Sequence, residues 1–256
     1  MPVKNLKFGY IKAFFLIAIF IVSACNETDQ VLNANERQDE SRTFVRLNQI
    51  NRLLIAFQID STAQFLPKSA VVIKNDTTFP EKTWTHLSFT NSDYCADGII
   101  RTGNLNVITH RNTNKMIDSI WAYSTFSDSF GVDFGGRISR FQGNFLLNLE
   151  SSDKWIVYGD LMEMNSSQDL VRSFEYSLNV NKEIKDQLNL SGIFKRKYGF
   201  KYDVSDIEIP FWNYNVPVHG FLKKDEVIID FDPVNNRAQD RFMKLSIKEH
   251  EFPFDF

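Results

Sequence analysis

The four histidines, His86, His110, His219 and His250, are the natural starting point for metal or acid–base chemistry. They stand far apart and form neither an H-x-H pair nor an H-E-x-x-H motif. A transition-metal centre needs such ligands to converge with defined geometry, so no metal is expected. Oxygen donors cluster at Asp230-x-Asp232-x-x-Asn235-Asn236. A calcium loop beginning at Asp230 would require Gly at position 235 and Glu at 241, where Asn235 and Arg241 stand. Asp and Asn also close turns through their own side chains, and a turn is the expectation here. A glycosidase needs two carboxyl groups roughly 5–9 Å apart across a cleft. With 32 acidic residues in the chain, spacing alone names no such pair. A G-x-S-x-G elbow, a cysteine-nucleophile signature and a phosphate-cradling glycine loop are all missing. The expectation is therefore no catalytic residue, no cofactor and no enzyme.

Binding chemistry is better represented. Ile209-Pro210-Phe211-Trp212-Asn213-Tyr214-Asn215-Val216-Pro217-Val218-His219 sets three aromatic rings among amides. Two prolines argue against a central strand, which puts Phe211, Trp212 and Tyr214 on a loop. Ring faces beside amides suit a sugar or a peptide, so the three form a possible aromatic binding loop. The competing reading is a cap on one end of the core, and the apolar flanks Ile209, Val216 and Val218 favour it.

The remaining chemistry is cysteine chemistry, and the chain has two: Cys25 and Cys95. Lys4, Lys7 and Lys12 precede an almost purely apolar stretch over 13–22, and Val22-Ser23-Ala24-Cys25 closes it. Basic, apolar and small segments in that order predict a secretory signal peptide. The stretch is about half of the roughly 20 residues needed to span a bilayer. Val22 to Cys25 resembles the lipobox of bacterial lipoproteins. That resemblance implies cleavage before Cys25, diacylation of its thiol and acylation of the new amino terminus, with palmitate among the expected chains. Each buried methylene adds about 0.8 kcal/mol, and two anchoring signals already hold a protein stably.

With 24 residues removed, 232 remain, carrying 26 Lys and Arg against 32 Asp and Glu, a net charge near −6. An acidic chain without a basic cluster suits neither nucleic acid nor electrostatic attachment to anionic lipid. Cys95 alone cannot build an intrachain disulfide framework; it reads as a small, partly buried residue. The 24 phenylalanines bury large area and favour strands.

The elements follow from hydrophobic period. Residues 25–39 are polar and read as a flexible tether. Phe44, Leu47, Ile50, Leu54 and Phe57 recur at helical spacing, predicting a packing helix over about 41–59 with Arg42, Arg46 and Arg52 on its outer face. After Pro67 the period moves towards 2, and strand-like runs follow: 70–73, 84–90, 103–110, 119–127, 137–141, 145–150, 154–162, 173–180, 187–194, 199–204, 226–231 and 241–247. Turn signals such as Asp97-Gly98, Gly135-Gly136 and Asn165-Ser166-Ser167 separate them. No second long helix interrupts the series, which argues against parallel units. A single domain over 40–256 is expected, mainly β: an antiparallel meander forming a curved sheet, an open barrel or a sandwich. The terminal Phe252-Pro253-Phe254-Asp255-Phe256 has the alternation of an outer-membrane barrel strand, but the same face continues through His250, Lys248, Ser246 and Lys244. Lipid-facing strands need sustained alternation, so a membrane barrel is not expected.

Asp97-Gly98-Ile99-Ile100-Arg101-Thr102-Gly103, followed by Leu105, Val107 and Thr109, is similar to a D-G-x-x-R-x-G strand entry found in uncharacterised, lipid-anchored, β-rich envelope lipoproteins of Gram-negative bacteria. Gly131 to Gly136 and Asp230 to Arg237 resemble that group's second and third turns. The resemblance implies architecture and address: a cell-envelope protein held by lipid, with the outer membrane favoured. An envelope protein or glycan is its expected partner. A non-catalytic binding or structural module is the leading expectation. A carbohydrate-active hydrolase and a half-open β-barrel carrying an apolar ligand are the alternatives.

Overall fold

The computed structural model describes residues 34–59, 71–76, 81–89, 99–125, 129–134, 137–165, 169–183, 187–211, 219–232 and 242–255, together with Leu66, Cys95 and Ser167. The chain divides into two compact units, Met1–Glu40 and Ser41–Phe256. Among the described residues there is one helix, α1, over 34–58. It starts earlier than the apolar period indicates, because Ala34, Glu36, Arg37, Gln38 and Glu40 are all good helix formers. Arg37 and Glu40, one turn apart, are paired at 2.6 Å.

Among the described residues, fourteen strands follow in the second unit: β1 Val71–Asp76, β2 Lys82–Phe89, β3 Ile100–Arg111, β4 Ile117–Ser124, β5 Phe130–Phe134, β6 Arg137–Ser151 and β7 Lys154–Met164 come first. The series continues with β8 Leu170–Glu183, β9 Gln187–Arg196, β10 Lys201–Pro210, β11 His219–Lys224, β12 Val227–Asp230, β13 Phe242–Ile247 and β14 His250–Asp255. All pairings are antiparallel, and nearly all join sequence neighbours. The exception is β5, which pairs with β3 and β6 while β4 pairs with both as well. The molecule is thus mainly β, one antiparallel meander rather than a two-sheet sandwich. Its sheet is only partly ringed, with β1 and β14 at the two ends of the strand order.

Two glycines show why the long strands can bend. Runs 137–141 and 145–150 belong to one strand, β6, because Gly143 carries the chain through at a φ of 126°. A Cβ there would collide with the carbonyl oxygen of Asp160. Gly103 ends the D-G-x-x-R-x-G segment at a φ of 76°, and a Cβ on it would strike the Ser129 carbonyl. Asx turns close the hairpins. Asn112 Oδ1 accepts from the amides of Asn114 and Met116, and Asn165 Oδ1 from those of Ser167 and Asp169.

From Ser41 to Ala56, α1 is buried on every face except at Arg42. Its Phe44 ring meets Phe194 of β9 at 5.2 Å and Phe231, just past β12, at 6.2 Å. Arg42 lies 5.5 Å over the Phe254 ring of β14. Tyr176 of β8 and Trp155 of β7 reach Asn51 and Gln58 by hydrogen bonds of 2.8 and 3.3 Å. This corrects the expectation that Arg46 and Arg52 decorate a solvent face: they are 4% and 0% exposed. The sheet wraps the helix from several sides, so its polar stripe is buried as well as its apolar one. Buried polar groups must then find partners, and Arg52 does so through Gln49 Oε1 at 2.6 Å and the Phe211 carbonyl at 2.5 and 3.1 Å.

Candidate binding face

Strand register builds the most distinctive surface. Trp84 of β2 pairs with Ile108 of β3, Ile108 with Trp121 of β4, Trp121 with Leu146 of β6, and Leu146 with Tyr158 of β7. Their neighbours Thr85, Val107, Ala122, Phe145 and Val157 are buried, so strand alternation turns all five outward. Trp121 is 45% exposed, Tyr158 40% and Leu146 37%; Trp84 and Ile108 are half-buried. The row alternates aromatic and aliphatic, with a ring on every second strand.

A polar row runs beside it on the same strands: His86, Asn106, Tyr123, Asn144 and Asp160, again in register. The two rows are tied together. The Trp121 Nε1 donates to Asn144 Oδ1 at 3.1 Å, and its ring lies 5.1 Å from that of Tyr123. Trp84 lies 6.1 Å from His86, whose Nδ1 is 3.0 Å from Asn106 Oδ1. Cross-strand contacts of this kind hold side chains in defined orientations. Apolar faces and hydrogen-bonding groups thus alternate over five adjacent strands.

The residues singled out in the sequence are distributed differently. Phe211 is fully buried, with its carbonyl held by Arg52 and its ring 5.7 Å from the Lys182 ammonium. It packs in the core; Trp212 and Tyr214 lie outside the described residues. Cys25 and the whole signal segment also lie outside them. Asp230 Oδ1 accepts from the Asp232 amide at 2.9 Å, the local turn closure expected of an Asp-rich loop. Asn235 and Asn236 fall outside the described residues. Histidines are scattered over β2, β3, β11 and β14, and no group of three metal-ligating residues converges among the described residues. Cys95 is buried, 3% exposed, and its amide donates to the Ile99 carbonyl at 2.9 Å.

Reading single strands finds each exposed ring of the outer row but not the row itself. Trp84, Trp121 and Tyr158 all occupy alternating positions of predicted strands, while their alignment depends on register between segments far apart in sequence.

The chain matches no family model, no curated protein and no solved structure.

Proposed function

We propose that this chain is a lipid-anchored envelope protein that works as a non-catalytic binding module, presenting the outer face of its sheet to a partner in the envelope. The Val22-Ser23-Ala24-Cys25 segment supports the anchor. The row from Trp84 to Tyr158 carries the binding reading, since soluble proteins rarely leave large apolar groups contiguous without use. Three acyl chains on mature Cys25 would make release from the membrane negligible, with the outer membrane the favoured home. An envelope protein or glycan is the partner class.

The carrier alternative needs an open concave side. Here α1 fills that side from Ser41 to Ala56, with Phe44, Ile50 and Leu54 at most 1% exposed, which counts against it. Metabolic labelling with a clickable fatty acid tests the anchor. Label should appear on the wild type in the outer-membrane fraction, and Cys25→Ala should lose it and accumulate uncleaved precursor. Equal labelling of the variant would overturn the assignment.

A further inference from the structure

We infer that the row Trp84, Trp121 and Tyr158 binds a single extended chain of a neutral polysaccharide, laid across the strands. This rests on the binding-module reading and names its ligand class.

The first argument is spacing. Adjacent strands are about 4.7–4.9 Å apart, and the rings sit on β2, β4 and β7, each two strands from the next. The rings therefore recur about every 9.5 Å, close to the length of one disaccharide in an extended β-linked glycan. Alternate sugars in such a chain present the same face, so every second sugar can stack its C–H groups on a ring. Ile108 and Leu146 lie beneath the intervening sugars.

The second argument is chemical alternation. Stacking alone would serve a lipid or an apolar peptide equally well. A sugar also has a rim of hydroxyls, and the parallel row supplies Asn106, Asn144 and Asp160 at the same strand positions. Asn144 already orients the Trp121 indole, so the stacking surface and the polar edge are fixed relative to each other. Charge argues against a polyanionic glycan. Asp160 is exposed on this face, and the nearby lysines, Lys195 and Lys197, are already engaged by Glu175 beside it at 3.3 and 3.9 Å. Shape also favours a single chain over a flat crystalline surface, because neighbouring strands rotate by about 20–25°. A lone chain can follow that twist.

The test uses protein purified from envelopes in a sugar-free zwitterionic detergent, titrated calorimetrically with hexasaccharides of β-linked glucose, xylose, mannose and N-acetylglucosamine. At least one should bind, and its disaccharide should bind at least tenfold more weakly because it spans one ring. Trp121→Ala and Tyr158→Ala should each weaken the hexasaccharide at least tenfold. Trp121→Phe should keep most of the affinity. Tyr198→Ala, at a hairpin tip off the row and 97% exposed, should change nothing. Circular dichroism of each variant confirms that the sheet is intact. Failure of all four glycans to bind overturns the inference, as does binding indifferent to Trp121. Trp121-dependent binding to phospholipid vesicles or to heparin, without hexasaccharide binding, replaces the ligand with a lipid surface or a polyanion and equally overturns it. Fatty-acid labelling of Cys25 is independent of these outcomes, so the anchor can stand while the glycan falls.

Discussion

The ring of Tyr176 occupies the space that a side chain at Gly159 would fill. The two residues pair across β7 and β8, and a Cβ built on Gly159 would fall among the ring atoms. The glycine lets the ring lie down on the sheet, where its hydroxyl donates to Asn51 Oδ1 of α1 at 2.8 Å. Gly159→Ala should therefore destabilise the fold by about 1–3 kcal/mol, the range for overpacking a filled core. Tyr176→Phe should cost about 1–3 kcal/mol, because a buried acceptor on Asn51 loses its donor. Urea melts of both variants would measure this.

Tyr176 also makes a pH prediction. Burial pushes its hydroxyl well above the usual tyrosine range, with the Asn51 hydrogen bond opposing in part. The folded state thus keeps the proton that the unfolded chain gives up above about pH 10. Stability from this group is fully present below that pH and falls above it, by up to roughly 1.4 kcal/mol per pH unit. Tyr176→Phe should remove that part of the alkaline slope, leaving a smaller stability difference between wild type and variant at pH 11 than at pH 8. An unchanged difference would contradict the prediction.

Phe211 and Arg52 form a second joint between helix and sheet. Phe211→Ala should cost about 3–5 kcal/mol, as expected for deleting a buried aromatic. Arg52→Met keeps much of the stem volume but strands the Phe211 carbonyl and Gln49 without this donor. Its loss should exceed that of a surface Arg, with 1–3 kcal/mol a reasonable scale. A melting shift within a degree for Phe211→Ala would place the residue outside the core.

A third joint is polar. Glu163 of β7 accepts from Thr43 Oγ1 at 2.9 Å and from Ser139 Oγ at 2.7 Å, with Arg172 Nε at 3.8 Å. Two hydroxyl donors and one guanidinium converge on this buried carboxylate. In a double-mutant cycle, Thr43→Val and Glu163→Gln should be non-additive by about 0.5–3 kcal/mol. Strict additivity would mean that the Thr43–Glu163 contact is absent in solution.

Much of this architecture is legible in the chain because its pattern is local. Alternation located most strands, and antiparallel order followed from the lack of intervening helices. Three strands escaped for identifiable reasons. In β5, Gly131 is the second of five residues and Asp133-Phe134-Gly135-Gly136 reads as a turn. The aromatic loop reading absorbed His219 at the start of β11, and Pro253 in β14 weakens its ladder; it is tolerated on an edge strand. The burial of Arg46 and Arg52 was not legible, because periodicity shows which face of a helix is apolar but not how many sides the sheet will cover. The outer aromatic row was invisible for a related reason: pairing across strands is a property of register, which no single segment encodes.

The embrace of α1 by late strands has a consequence for biosynthesis. The helix is made before the sheet, yet Phe44 and Arg42 find Phe231 and Phe254 near the end of the chain. Until the ribosome delivers that end, Phe44 lacks the late part of its cover. A polypeptide truncated before β12 would leave that part of the helix unsheathed. Such fragments should be prey for proteases, so β12 and β14 complete the shelter of a helix made long before them.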